Sequence, residues 1–204
     1  LSHGKTLPEN TSYIGLLSRF NENPENKKQI KLYDIVAIVS GPEPQRSIFE
    51  QILTEQLPPS GKKCLILRGV PGDQEIISIR KNLDVTNHLP SDMLGKLLRS
   101  GPLVICRAGY STLMEIATMA NKAILIPTPG QTEQEYLAET LDKSGIYVAC
   151  RQDNLNLKTA IAEAERRPGL SIQQENQLLE SAIKALMESI ELGPPAGLSR
   201  NGTL

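Results

Sequence analysis

Three short segments of this 204-residue chain combine glycines, hydroxyls, amides and carboxylates at spacings that suit phosphates and sugars. The first is Arg107-Ala108-Gly109-Tyr110-Ser111-Thr112, followed by Glu115. A glycine gives a tight turn into a helix start, where free N–H groups, hydroxyls and about half a positive charge face an anion. A diphosphate suits that geometry, and Glu115, three residues after Thr112, could accept both hydroxyls of a ribose. The same Thr112-to-Glu115 spacing is also a capping box, in which both side chains serve only the helix backbone. The pattern leaves both readings open. The second segment is Ser40-Gly41-Pro42, which either cradles a phosphate or is merely a tight strand-to-helix loop, since it lacks a full GxGxxG or GxxxxGK[ST] pattern. The third runs from Pro127 to Glu135, where two prolines and a glycine stiffen a loop that carries Gln134 and Glu135. Those two side chains could bond sugar hydroxyls, or they could belong to an acidic first helical turn that favours the dipole.

Other chemistries are poorly supplied. The two histidines, His3 and His88, are too few for a zinc site or a Ser-His-Asp arrangement without unusual help, and each reads as a surface or loop residue. No Asp-x-Asp pair offers a magnesium clamp, so neither a metal nor any other cofactor is expected. Charge on a diphosphate must then be met by helix ends, hydroxyls and basic side chains. Arg19 and Arg107 are the candidates, each with a surface or carboxylate-paired role as the alternative. Cys64, Cys106 and Cys150, odd in number and without CxxC spacing, read as buried reduced thiols of a cytosolic protein. The formal charge of −1 argues against a nucleic-acid partner, and 3% aromatics with no Trp argue against a stacking platform. Mean hydropathy is −0.24 and no uncharged apolar run approaches the ~18 residues of a membrane helix.

The elements that must position these segments alternate between two periods. Apolar β-prone runs lie at Tyr33 to Ser40, Lys63 to Arg68, Leu83 to Leu89, Leu103 to Arg107, Ala123 to Pro127 and Ile146 to Cys150. Helical spacing lies between and after them at Gln45 to Leu57, Ser91 to Ser100, Thr112 to Met119, Thr132 to Lys143, Leu155 to Arg166 and Gln173 to Glu191. Consecutive Ile, Val and Leu mark strands covered on both faces, so the expectation is an α/β, Rossmann-like parallel sheet between helices. In such sheets ligands bind beyond the carboxyl ends of the strands, where all three segments fall.

The last helix carries Leu179, Ile183, Leu186 and Ile190 along one stripe that must pack on something, with Ser171 and Gln174 as its capping box. Residues 31–192 form the expected domain. Residues 1–30 read as the end of a missing N-terminal domain and a polar interdomain linker, Asn21 to Gln29, and residues 193–204 read as a flexible tail. The start, Leu1 to Asn10, has neither an initiator Met nor a signal peptide and looks like a cut inside a longer chain.

With those residues assembled, the stretch from Val104 to Thr118, continuing through Ile126-Pro127 to Gly145, resembles the C-terminal, donor-binding domain of MurG-like GT-B glycosyltransferases of family 28. The similarity covers roughly Tyr33 to Arg166 and is most specific over Cys106 to Glu135. It implies the C-terminal half of a GT-B fold that binds a UDP-sugar, with UDP-GlcNAc favoured. Glu115 would hold the ribose hydroxyls, the Gly109, Ser111 and Thr112 turn would face the diphosphate, and Gln134 and Glu135 would meet the sugar. The backbone around Leu89 would read the uracil edge, Ser40 and Gly41 would line the phosphate side, and Arg19 matches the family's interdomain arginine. The resemblance further implies a lipid-linked or glycan acceptor and a catalytic base on the missing domain. It also implies a cytoplasmic enzyme with peripheral contact at the inner face of the membrane, and a fragment inactive by itself. Three departures stand out: Gln134-Glu135 replaces the family's frequent Gln-Gln, Ala138-Glu139 replaces Asn-Ala, and Ser40-Gly41-Pro42 lacks the second glycine of Gly-Gly-Ser. Alternatives are a stand-alone donor subunit with a membrane-bound partner, a UDP-sugar epimerase of the same fold, and a scaffold that binds no nucleotide.

Overall fold

The computed structural model describes residues 11, 13–20, 32–172 and 176–191. His3, the first ten residues, the Asn21 to Gln29 linker, the Gln174 half of the capping box and the tail lie outside the described residues. The chain divides into two compact units, Leu1–Leu17 with Gln174–Leu204, and Ser18–Gln173.

In the Ser18–Gln173 unit the apolar runs form β1 (Ile35–Ile38), β2 (Cys64–Leu67), β4 (Leu83–Thr86), β5 (Leu103–Cys106), β6 (Ala123–Leu125) and β7 (Val148–Ala149). A further strand, β3 (Ile77–Arg80), precedes β4. The sheet order is β3-β4-β2-β1-β5-β6-β7, parallel throughout except for the antiparallel β3–β4 edge. Register across the centre aligns Ile35 with both Cys64 and Leu103, and Ile38 with both Leu67 and Cys106. The strands are shorter than the apolar runs because the ladder ends where each chain peels away toward a helix. β4 stops at Thr86, four residues before Pro90, which has no N–H to extend a ladder.

The helices are α1 (Gln45–Gln56), α2 (Ser91–Arg99), α3 (Tyr110–Thr118), α4 (Thr132–Lys143), α5 (Leu157–Ala164) and α6 (Asn176–Glu191). The first five cover both faces of the sheet, as consecutive apolar strand residues require. Val36, Leu65, Val104, Cys106 and Leu125 pack with α2, α3 and α4 through Leu98, Ile116 and Leu137. Ile35, Ala37, Ile66, Ile105 and Ile124 pack with α1 and α5 through Phe49, Leu53 and Ile161. Asn156 shortens α5 by serving as its N-cap, accepting from Thr159 N at 3.2 Å. In the other unit α6 holds Leu179 half-buried, while Ile183, Leu186 and Ile190 are exposed.

Candidate functional site

β1 is the point where chain order reverses. From β1 the chain proceeds through β2 to β4 on one side, then returns to place β5 on the other. Loops leaving β1 and β5 therefore diverge at their carboxyl ends and open a crevice there. Ser40-Gly41 follows β1, and Arg107 through Thr112 follow β5, so two of the three segments flank this crevice. The third leaves β6 immediately beside β5.

The α3 start is open, as are those of α2 and α4. Gly109 is the N-cap, with φ −82° and ψ 145°, and no side chain among the described residues caps the helix. The first helical bond runs from Leu113 N to Gly109 O at 3.0 Å, which places Thr112 third in the helix and Glu115 in its second turn. The capping-box reading of Thr112 and Glu115 is thereby corrected, because neither residue stands where that box requires. Gly109 is also not a left-handed turn residue; its backbone suits any L residue. A Cβ there would meet nothing within 4 Å among the described residues, so the space beside Gly109 is clear. Among the described residues the N–H groups of the first turn have no side-chain partner.

Glu115 is held from elsewhere. Arg19 Nε lies 2.7 Å from Glu115 Oε1, and Arg19 Nη2 donates to Oε2 at 3.5 Å. The carboxylate is 14% exposed and the arginine 50%. Arg19 Nη1 also donates to Ser91 Oγ at 3.3 Å, and its guanidinium lies over the Phe20 ring. One arginine thus joins the start of α2, next to Leu89 and Pro90, to the second turn of α3. Leu89 itself is half-buried and packs against the core.

The α1 end is occupied by its own chain. Glu43 accepts from Ser47 N at 3.2 Å and from Arg46 Nε at 2.6 Å, and hydrogen bonding to the Ser47 hydroxyl first, then to Arg46, holds its carboxyl below the usual range. A second anion at that helix end would meet this carboxylate. Gly41 takes φ +109°, a conformation that needs glycine, and a Cβ there would stand 3.6 Å from Thr128 Oγ1. Ser40 is half-buried beside it. The β1 and β6 loops thus approach closely across the crevice floor.

Gln134 and Glu135 brace the third segment. Gln134 Oε1 accepts from Thr128 N at 2.9 Å, and Glu135 Oε1 accepts from Gly130 N at 3.0 Å. Gln134 also donates to Gln131 Oε1. The stiff loop expected from its prolines is therefore further fixed by the two residues expected to meet a sugar. Thr128 is 2% exposed, and its hydroxyl has no hydrogen-bond partner among the described residues.

Arg107 departs from both roles the residue type allowed. It is 2% exposed, pairs with no carboxylate among the described residues, and bonds the main-chain carbonyls of Ser40, Gln45 and Ile126. Sequence reasoning also missed Thr128 and Phe49, whose ring lies 4.3 Å beneath the Arg107 guanidinium. The signal for Phe49 was present, as the first buried residue on the apolar face of α1. His88 stays half-buried in the β4–α2 loop, within 3.3 Å of Gln74 Nε2. Among the described residues no group of three His, Cys, Asp or Glu side chains could hold a metal ion, and no helix is long and apolar enough to cross a membrane.

A relative from Idiomarina loihiensis, a UDP-N-acetylglucosamine--N-acetylmuramyl-(pentapeptide) pyrophosphoryl-undecaprenol N-acetylglucosamine transferase, is 28% identical over 153 residues, which cover 68% of this chain and 40% of its own length. A relative of the same name from Methylobacterium radiotolerans is 38% identical over 63 residues, 30% of this chain and 17% of its own. The chain thus spans less than half the length of these relatives. In fold it is similar to the glycotransferase of kitacinnamycin, with TM-score 0.56 and 16% identity over 87% of this chain and 45% of that one. The fold is the Rossmann-like C-terminal half of a GT-B architecture. Residues 36–190, running from β1 through α6 and spanning the whole crevice, match the glycosyltransferase family 28 C-terminal domain, and it is to this family that the chain belongs.

Proposed function

We propose that this chain is the donor-binding half of a glycosyltransferase that moves a hexose or hexosamine, GlcNAc favoured, from a UDP-sugar to a lipid-linked acceptor. The observation that carries the reading is the uncapped α3 end, with clear space beside Gly109 and a carboxylate one turn further along. Backbone N–H groups of the first α3 turn, with the Ser111 and Thr112 hydroxyls, hold the diphosphate. Glu115 accepts from the ribose hydroxyls, and Arg19 keeps that carboxylate extended. The braced Thr128-to-Glu135 loop presents Gln134 and Glu135 to the sugar, and the Leu89 backbone faces the uracil. Ser40 and Gly41 border the phosphates without supplying a helix end, because Glu43 already occupies that of α1.

In the transfer itself charge develops on the leaving diphosphate. Dipoles already aimed at that position stabilise it without reorganising, the larger share of what this half contributes. The base and the acceptor site belong to another domain or subunit, no metal is required, and contact with a membrane surface is made through that partner. The relatives' printed names support both donor and acceptor.

Calorimetric titration of UDP, UDP-GlcNAc, UDP-glucose and GDP into the chain tests the donor class. Binding of the UDP compounds and not of GDP is the expected result. Equal binding of GDP removes the uracil assignment, and binding of none removes the donor reading.

A further inference from the structure

We infer that Arg107 is a positioning residue for the donor diphosphate, acting by fixing three crevice loops together and by lending them a buried charge that no carboxylate among the described residues neutralises. This rests on the donor reading above. The side chain donates through every nitrogen it has. Nε reaches Ser40 O at 3.4 Å, Nη1 reaches Ile126 O at 3.1 Å and Pro127 O at 3.3 Å, and Nη2 reaches Gln45 O at 3.0 Å. Ser40 and Gln45 belong to the connection leaving β1 and the start of α1, while Ile126 and Pro127 leave β6. Arg107 itself opens the turn into α3. All three strand-end segments of the crevice therefore meet at one guanidinium.

Loop fastening explains the position of this side chain and leaves its charge unexplained. Carbonyl groups satisfy the donors but remain neutral dipoles, and buried charged residues are ordinarily paired. Among the described residues no carboxylate pairs with Arg107. Burial pulls its pKa down to about 10, so it stays charged at neutral pH. Phe49 lies under one face of the guanidinium, which keeps water off it. A charge so buried is weakly screened and acts over a longer range than one on the surface. The uncapped end of α3 begins three residues further along the chain. An anion bound there completes the electrostatics that the protein leaves open.

The consequence separates charge from shape. UDP and uridine fill the same nucleoside position, but only UDP carries the diphosphate. Both are titrated into the full 204-residue chain and into its Arg107→Met and Arg107→Lys variants, with thermal unfolding as the check on folding. Arg107→Met is expected to weaken UDP about tenfold while changing uridine by less than about twofold, and Arg107→Lys, which keeps the charge, to retain most of the preference for UDP. Equal weakening of both ligands by Arg107→Met overturns the inference, leaving a structural tie alone. So does collapse of the UDP preference in Arg107→Lys, which decides the matter even where the methionine variant does not fold. A parent chain that binds neither ligand overturns the donor reading instead, and with it the ground for this one.

Discussion

Arg19 and Glu115, 96 residues apart in sequence, form a two-pronged ion pair in which Nε stands 2.7 Å from Oε1 and Nη2 3.5 Å from Oε2. This pair shows that Glu115 does not cap its own helix. A glutamate that served the helix would turn back to the first-turn N–H groups, as a capping box requires. Glu115 turns outward instead, to a side chain that also reaches the start of α2. The arginine is half exposed, so the pair contributes little to stability and chiefly orients the carboxylate.

The clear space beside Gly109 makes a substitution there informative. Gly109 adopts an extended conformation open to alanine, and nothing would touch the added methyl. Gly109→Ala should therefore change stability by less than about 1 kcal/mol, the small loss of a poorer N-cap. On the proposed donor reading UDP affinity should fall more steeply, because there the methyl would stand where the diphosphate approaches. Urea unfolding and calorimetry on the same preparation measure both quantities.

Two other glycines separate backbone strain from crowding. Gly61 and Gly69 share a left-handed conformation, at φ +71° and +67°, but a Cβ at Gly61 meets nothing within 4 Å while one at Gly69 would stand 2.3 Å from Val39 O. Gly61→Ala should cost about 1 kcal/mol, the left-handed penalty alone. Gly69→Ala should cost clearly more, since β1 and the chain leaving β2 must move apart. Chemical denaturation of the two variants side by side gives the difference.

The buried Thr128 hydroxyl has no partner among the described residues, and such a group carries a desolvation cost of roughly 1–3 kcal/mol. Thr128→Val keeps the shape and removes that cost. Thermal unfolding should show a variant as stable as the parent or up to about 1 kcal/mol more so. A loss of stability would show that the hydroxyl is bonded after all.

Much of this was legible in the sequence. Unbroken Ile, Val and Leu runs revealed a sheet covered on both faces, and glycines and prolines marked the turns that leave β1, β5 and β6. β3 was not legible, because four exposed residues on an edge carry no burial pattern. The start of α3 was placed two residues late, since Thr112 has the look of a cap and Tyr110 does not. Arg107 was harder still. Nothing local says that an arginine after a strand turns inward to bond carbonyls from two distant loops; that depends on strand order, which brings β1 and β6 to either side of β5.

The thiols give the molecule a pH dependence of known sign. Burial pushes Cys106 up to about 12, with the Glu115 carboxylate adding to it, and pushes Cys64 up to about 11, both from an ordinary value of 9.0. In the unfolded chain these thiols lose protons near pH 9, while in the folded chain they keep them. The unfolded state then binds fewer protons, so this part of the stability is complete below pH 9 and declines as pH rises toward 11 and 12. Urea midpoints should fall across that window, and replacing both residues with Ala should flatten the decline.

The central claim is that Glu115 binds the ribose of a UDP-sugar, and calorimetric titration of UDP into the parent chain and into Glu115→Ala tests it most directly. The account predicts that the parent binds and that the variant loses roughly 1.5–3 kcal/mol of binding free energy while remaining folded, as for lost hydrogen bonds to a charged group. An unchanged affinity in a folded Glu115→Ala would contradict it, leaving the glutamate as a partner of Arg19 and nothing more.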